Sequence, residues 1–342
     1  MRRSEITIDL GALRRNVRCL RRAAGSAELW AVVKADAYGH GALDVAGAAL
    51  DAGASALCVA TVQEGEALRR AHPGARIVAL GPLAPGEDEL ARAAGLEVTV
   101  SDSELPPGLP VHVKVDTGMG RWGMSEAELA AVDPGRVAGL MSHLATADEA
   151  DERFARLQIE RFTALAERFP GVTRHLANSA ATLRFPEARF DAVRCGIALY
   201  GLSPFGDDPA AHGLEPVLSW RSHVARARDL APGESTGYGR RFVAERPTRI
   251  GVVPVGYGDG FRRGLAGAEV LVGGERRRIL GAVSMDAFAV ELDGEEAGAP
   301  VTLIGDGLLA EEHARHLGTI NYEVTCGIRS SPARAERRVV DG

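Results

Sequence analysis

Lysine is nearly missing from this chain. Of its 40 basic side chains only two are Lys, at positions 34 and 114, and the other 38 are Arg. Wherever a surface cation suffices the two residues interchange, so such a bias sweeps lysine away. The survivors mark positions where arginine cannot serve, because only an amine loses its proton near neutral pH and becomes a nucleophile. Chance survival of two surface lysines is the plain alternative.

Other shortages exclude whole classes. The four cysteines, at 19, 58, 195 and 326, include no CxxC pair. They make neither a disulfide framework nor a thiol metal site, and they suit a reducing cytosol. No metal site is expected. No apolar run approaches the roughly 20 residues that span a bilayer. The opening MRRSEITIDL lacks an apolar segment followed by a cleavage site, so a cytoplasmic location is expected and a membrane partner is not. The net charge of −6 is mild and the basic residues are scattered, which argues against nucleic acid as a partner. What is present is ordinary for a globular protein, 46 % apolar and 25 % charged over 342 residues. That length suggests two domains, or one large barrel with an appendage.

Through the first two thirds, short β-rich runs alternate with amphipathic segments. Strands are predicted at 29–33, 56–60, 76–80, 97–100, 111–115, 137–141, 173–176 and 192–194. Helical patterns lie between most of them, at 43–50, 64–70, 87–94, 126–132 and 151–169. In the last, Phe154, Leu157, Ile159, Phe162, Leu165 and Phe169 follow a helix-like spacing. Eight strands with helical connections imply a parallel sheet, and eight closes a (β/α)8 TIM barrel. An open doubly wound sheet is the rival, but no GxGxxG follows the first strand. Residues 201–216, GLSPFGDDPAAHGLEP, read as a linker. Beyond them, strands are predicted at 220–228, 249–255, 269–272, 278–283, 288–292 and 301–304, with one helix near 311–317, which makes a mostly β second domain. An early strand at 6–10 could join either part.

Functional side chains of such barrels sit at the C-terminal ends of strands and in the loops that follow. Lys34 closes the first strand and Lys114 lies in the fifth, whose loop carries Arg121. His143 follows the sixth strand; His175, Asn178 and Ser179 follow the seventh; Arg194 and Gly196 end the eighth. Both lysines therefore fall at one rim.

The segments VVKADAYGHGA, KVDTGMGRWGM, HLATADE, ANSAA, RCGIALYGL, GYG, VGYGDG, SMD and TINYEVTC follow one another along nearly the whole chain. In that order they resemble the signatures of the alanine racemase family. Any one is moderately specific; nine in sequence are very specific. The resemblance implies a pyridoxal 5'-phosphate enzyme, an isomerase that interconverts L- and D-alanine and supplies D-alanine for peptidoglycan. It also implies an N-terminal barrel over residues 11–215, a β domain made of 1–10 and 216–342, and a homodimer whose active sites use residues from both subunits.

Carried onto this chain, the resemblance makes Lys34 the amine that joins the cofactor aldehyde and then serves one face of Cα. Tyr238, in GESTGYGRRF, becomes the acid/base of the opposite face. The usual family spelling has Ser before that tyrosine, and Gly237 replaces it. A tyrosine in a glycine-rich turn is otherwise an exposed loop aromatic. Arg194 would face the pyridine nitrogen, where a permanent cation keeps the ring unprotonated and a weaker electron sink. Tyr38, Ser179, Gly196, Ile197 and Tyr322 match phosphate-binding positions, although Ser179 alone reads as a helix N-cap. Arg121 would meet the substrate carboxylate, joined by the backbone N–H of Met285 from the partner subunit. His143 beside Arg194, and His175 near the pyridine and phosphate side, match supporting positions. Tyr257 and Asp286 would line the entrance. Lys114 matches a lysine that is carbamylated in many members, and a carbamate there would accept hydrogen bonds from Arg121. An unmodified Lys114 paired with Asp116 is the alternative.

Three rivals remain. One is a racemase for serine or several amino acids, and another is a decarboxylase of the same fold. The third, of a different class, is a non-catalytic pyridoxal-phosphate carrier, which would lack the β domain and have no use for Tyr238.

Overall fold

Eight short strands pair in parallel, each with the next and the last with the first, in a computed structural model that describes residues 3–342. They are β2 (Glu28–Val32), β3 (Ala56–Val59), β4 (Ile77–Ala79), β5 (Glu97–Val100), β6 (Val111–Lys114), β7 (Gly139–Met141), β8 (Thr173–His175) and β9 (Ala192–Cys195), and β1 (Glu5–Asp9) precedes them in the chain. The expected TIM barrel is thus closed. Its strands read as apolar runs because both faces are covered: β3, β4, β6, β7 and β9 bury every residue. Trp30 on β2 and Leu29 beside it are fully buried, contributions of roughly 1.5–3 kcal/mol each by area.

Predicted and observed barrel strands agree to within a residue or two at each end, where ladder bonds give way to loop geometry. The helix predicted at 151–169 is Arg153–Ala166. Its core face differs from the expected one, because Phe154 and Leu157 are exposed. Ala155 and Gln158 take buried places instead, and the Gln158 amide bonds Thr117 and the His143 carbonyl. A polar side chain is at home inside when it is fully bonded. Helix Leu10–Ala24 was not predicted, although Leu13, Val17, Leu20 and Ala24 recur at helical spacing and are buried, with arginines on the outer face. It ends the early strand at Asp9, so Leu10 opens the helix.

The described chain forms two compact units, one of residues 13–205 and 210–215 and the other of residues 3–12, 206–209 and 216–342. The second is mostly β. After β10 (Leu218–His223) come β11 (Arg226–Leu230), β12 (Ser235–Thr236), β13 (Phe242–Val243), β14 (Thr248–Val253), β15 (Glu269–Val272), β16 (Glu275–Leu280), β17 (Phe288–Glu291), β18 (Pro300–Ile304) and β19 (Glu336–Val340). Nine of its strands form one sheet in the order β11-β14-β17-β16-β15-β18-β10-β1-β19. The early strand belongs here: Ile6 pairs with Trp220 and, in parallel, with Arg337.

Four readings of this region are corrected. The run 220–228 is two strands, broken where the chain leaves one partner and turns to another. The strand placed at 278–283 runs from Glu275 to Leu280, because a two-glycine turn at Gly273 and Gly274 starts it earlier. A second helix, Asn321–Cys326, and the strand β19 were not predicted. Within the supposed linker, Leu202, Ser203 and Leu214 are buried, so the segment is packed rather than solvated.

Candidate active site

Lys34 follows β2 by two residues, and the chain then does something rare. Ala35, Asp36, Ala37 and Tyr38 all take left-handed backbone angles, with φ of 53°, 51°, 53° and 55°. For residues bearing a Cβ this costs roughly 1–2 kcal/mol each, so surrounding bonds must hold it. The Glu64 carboxylate accepts the N–H groups of Ala35 and Ala60, each over 2.7 Å, and that of Thr61 over 3.3 Å. The Asp36 carboxylate accepts from Ala42. The strained turn aims Tyr38 inward, where it is buried against Tyr200, with ring centroids 5.0 Å apart.

Arg194, on β9, is buried and bonded only to neutral acceptors. Nη1 donates to the His175 carbonyl (2.6 Å) and to His175 Nδ1 (2.9 Å). Nη2 donates to the carbonyls of Ser142 (2.8 Å) and Leu176 (3.1 Å) and lies 3.3 Å from His143 Nδ1. Among the described residues no carboxylate touches it. Burial pulls Arg194 down to about 10, still a cation at neutral pH. Burial, and then Arg194 itself, holds both His143 and His175 well below the ordinary imidazole range. His175 is wholly enclosed and engages Arg194 from below, while His143 is half-buried.

Lys114 ends β6 at the same rim and is 6 % exposed. Burial, then Arg194, Arg121 and Lys34, brings its amine down to about 8. The Asp116 charge opposes that shift without an ion pair to the amine, its carboxylate accepting the N–H groups of Gly118, Met119 and Gly120. Arg121 is exposed and lines a cleft with Leu83, Thr99, Val100 and Trp122.

Ser179 is not the N-cap of its short helix. Asn178 caps it by accepting from Ala181 N–H over 2.9 Å. The Ser179 hydroxyl is left to accept from Gly196 N–H (3.0 Å) and Ala198 N–H (3.4 Å). Ile197 opens the helical turn Ile197–Tyr200, the position whose N–H has no intrahelical acceptor. Gly196 is required, since a Cβ there would lie 2.4 Å from the Tyr38 hydroxyl oxygen. Backbone donors, two hydroxyls and a site with no room for a side chain thus converge near Lys34 and Arg194, and they fit a phosphate-bearing aromatic cofactor.

The other candidate residues lie in the second unit. Tyr238 begins a short turn and is 69 % exposed. Gly237 before it has φ 78° and ψ 173°, a region essentially closed to other residues, so this backbone calls for the glycine. Met285 is 53 % exposed. Its carbonyl accepts from Gly258 N–H, and the Ser284 carbonyl accepts from Tyr257 N–H, stitching the SMD and GYGDG segments together. Asp286 pairs with Arg334 at 2.9 Å and, more loosely, with Arg3. Tyr322 sits in helix Asn321–Cys326, half-buried.

Sequence reasoning missed Glu64, whose role needs contacts across 29 residues, and the polar residues beneath Arg194. His112 carried a usable signal: it stands two residues before Lys114 on one strand, and a period of two puts both on the same face.

Two family models match the chain, the alanine racemase N-terminal domain over residues 8–204 and the alanine racemase C-terminal domain over residues 217–337. The alanine racemase of Symbiobacterium thermophilum is 42 % identical, with 96 % of this chain and 95 % of that protein covered. The biosynthetic alanine racemase of Pseudomonas aeruginosa is also 42 % identical, over 99 % of both. Among solved structures, alanine racemase from Streptomyces lavendulae superposes with a TM-score of 0.92 at 36 % identity, covering 100 % of this chain and 98 % of that one. The Bartonella henselae enzyme, described with covalently bound pyridoxal phosphate, gives 0.90 at 27 % identity, over 99 % of this chain and 100 % of its own.

Proposed function

This chain belongs to the alanine racemase family, and from that premise we propose that Lys34 and Tyr238 exchange protons at opposite faces of the alanine Cα. The chain is an isomerase that interconverts L- and D-alanine with pyridoxal 5'-phosphate, a reaction that supplies D-alanine. Among the described residues no helix is long and apolar enough to cross a membrane. The bound cofactor withdraws electrons from the substrate Cα–H bond, so that its proton becomes acidic.

The chain's residues do the rest. Lys34 holds the cofactor through its amine and, once released by the substrate, takes or returns a proton at one face. Tyr238 does so at the other, which suits its exposure: a phenol 69 % open at a turn is free to enter a second molecule's site. We place it, with Met285, in the barrel site of a partner subunit. That pairing would cover exposed Tyr238 and Met285 and supply the N–H of Met285 to the substrate carboxylate beside Arg121. Tyr38, Ser179, Gly196, Ile197 and Tyr322 hold the phosphate, His143 and His175 brace Arg194, and Tyr257 and Asp286 narrow the entrance. Lys114 carries a carbamate. Its amine is buried among cations and brought to about 8, so a neutral, nucleophilic fraction exists at neutral pH, and the anion formed would hold Arg121.

Arg194 carries the reading. A buried guanidinium with only neutral acceptors offers the pyridine nitrogen a donor and never an acid. Arg194 would hold a bound ring without protonating its nitrogen, and so would leave more charge at Cα and favour the return of the proton there. A decarboxylase of this fold would be expected to present a carboxylate. Incubating the purified protein and cofactor with single L-amino acids, followed by chiral chromatography, tests the assignment. D-alanine from L-alanine is expected. Loss of CO2, or racemisation of serine in preference to alanine, overturns it.

A further inference from the structure

Beneath Arg194 a line of polar side chains crosses the barrel interior, although nothing in the proposed chemistry asks for it. His175 Nε2 lies 2.8 Å from His112 Nδ1, and His112 Nε2 lies 2.7 Å from Glu97 Oε2. Arg76 grips that carboxylate with two bonds, Nε to Oε1 at 2.7 Å and Nη2 to Oε2 at 2.9 Å, while its guanidinium stacks 4.6 Å over Trp30. Glu97 is the first residue of β5, so the line runs from the N-terminal end of the barrel up to the rim.

Chemistry fixes the direction of every bond. A guanidinium only donates, so His175 Nδ1 accepts from Arg194 and the ring proton must sit on Nε2. That N–H donates to His112 Nδ1, which puts the proton of His112 on its Nε2. The last N–H meets a carboxylate, which only accepts. Burial raises Glu97, but hydrogen bonds from His112 and Arg76 outweigh it and hold the carboxyl at about 2. Both imidazoles are therefore neutral, and neither can adopt the other tautomer without setting donor against donor at Arg194 or acceptor against acceptor at Glu97.

Room for this line is built in. A Cβ on Gly139 would lie 2.0 Å from His112 Nδ1, so only glycine on β7 lets the ring through. Trp30 walls the other side, 4.6 Å from the His175 ring and 5.7 Å from that of His112. Four strands thus supply one satisfied network inside an otherwise apolar core, where a half-satisfied one would cost more than none.

We propose that Glu97, acting through His112 and His175, is a positioning residue for Arg194: the one-way relay locks the guanidinium in place and keeps its hydrogen-bonding sense fixed. This rests on the reading of Arg194 as the group that faces the cofactor ring. Since the carboxylate also polarises each imidazole in turn, His175 Nδ1 becomes a stronger acceptor for Arg194 than an isolated neutral histidine.

The test begins with the intact protein, ring-labelled with ¹⁵N-histidine near neutral pH and assigned with His112→Phe and His175→Phe. Both histidines should show an unprotonated Nδ1 and a protonated Nε2. An Nδ1–H tautomer or a doubly protonated ring at either position overturns the relay. Glu97→Gln then replaces one acceptor with an amide N–H, which must oppose a donor of Arg76 or His112. It should move the His175 Nδ1 resonance without touching that ring, and lower kcat about tenfold with KM little changed. Gly139→Ala, which displaces His112 and leaves every charge in place, should do the same. Unchanged kcat in both variants overturns the positioning role. Correct tautomers in a protein that racemises nothing would instead overturn the reading of the site and leave the relay standing.

Discussion

The Glu64 carboxylate accepts the backbone N–H of Ala35 over 2.7 Å, one residue beyond Lys34. With Ala60 and Thr61 bound to the same carboxylate, it clamps the left-handed turn that carries Tyr38 inward. Replacing Glu64 by Ala leaves these donors without their anion, and a hydrogen bond to a charged group is worth about 1.5–3 kcal/mol. Glu64→Ala is expected to unfold at lower denaturant concentration and to hold cofactor more weakly, measured by urea titration and by cofactor absorbance. Unchanged cofactor affinity would mean that the turn keeps its shape unaided.

Reduction of the cofactor-loaded protein with borohydride, followed by peptide mapping, should place the pyridoxyl group on Lys34. Lys114 is the only other lysine, so the experiment has two outcomes for a labelled lysine, and a label on Lys114 would move the active-site assignment.

Tyr238→Phe should slow racemisation by about 10²–10⁴-fold, the usual contribution of a general acid or base, with cofactor binding intact. Cα hydrogen exchange should survive from D-alanine and fail from L-alanine. Mixed dimers of Tyr238→Phe and Lys34→Ala chains should recover one working site. Absence of any recovery would place both groups in one subunit.

Lys114 should carry a ¹³C carbamate signal when the folded protein is equilibrated with ¹³CO2 and observed by NMR. Arginine cannot form a carbamate, so Lys114→Arg should lose activity by weakening the hold on Arg121. A plain ammonium in CO2-equilibrated buffer, or full activity in the arginine variant, refutes the modification.

Acid should destabilise the fold in two stages. Burial keeps His112, His143 and His175 below the ordinary imidazole value of about 6.5, so the unfolded chain binds protons that the folded one refuses. Stability from these groups is lost as pH falls below about 6.5. Glu97, held at about 2, adds a loss that begins near the ordinary glutamate value of about 4.3 and ends near its folded one. Calorimetric unfolding temperatures should fall across this span, with a shallower slope below pH 6.5 in His175→Asn. A flat profile from neutral pH to about 4 would contradict the neutral, buried histidines.

The sequence by itself determined the alternation of strand and helix, the closure at eight, and the gathering of Lys34, Lys114, His143, Arg194 and Gly196 at one rim. These follow from local periodicity and strand polarity, which a linear reading can see. Only the tertiary structure decided that Asn178 rather than Ser179 caps the helix, that the Asp116 carboxylate bonds the N–H groups of its own loop, and that the strand Glu5–Asp9 joins the second unit. It alone revealed Glu64 beneath the Lys34 turn and the line from Arg194 to Glu97. Each depends on which atoms meet across 3 to more than 200 residues, and hydrogen-bond donors choose among nearby acceptors only once packing has set the distances. A glycine such as Gly139 makes the point: nothing in its neighbours along the chain says that a histidine from the strand before it needs the space.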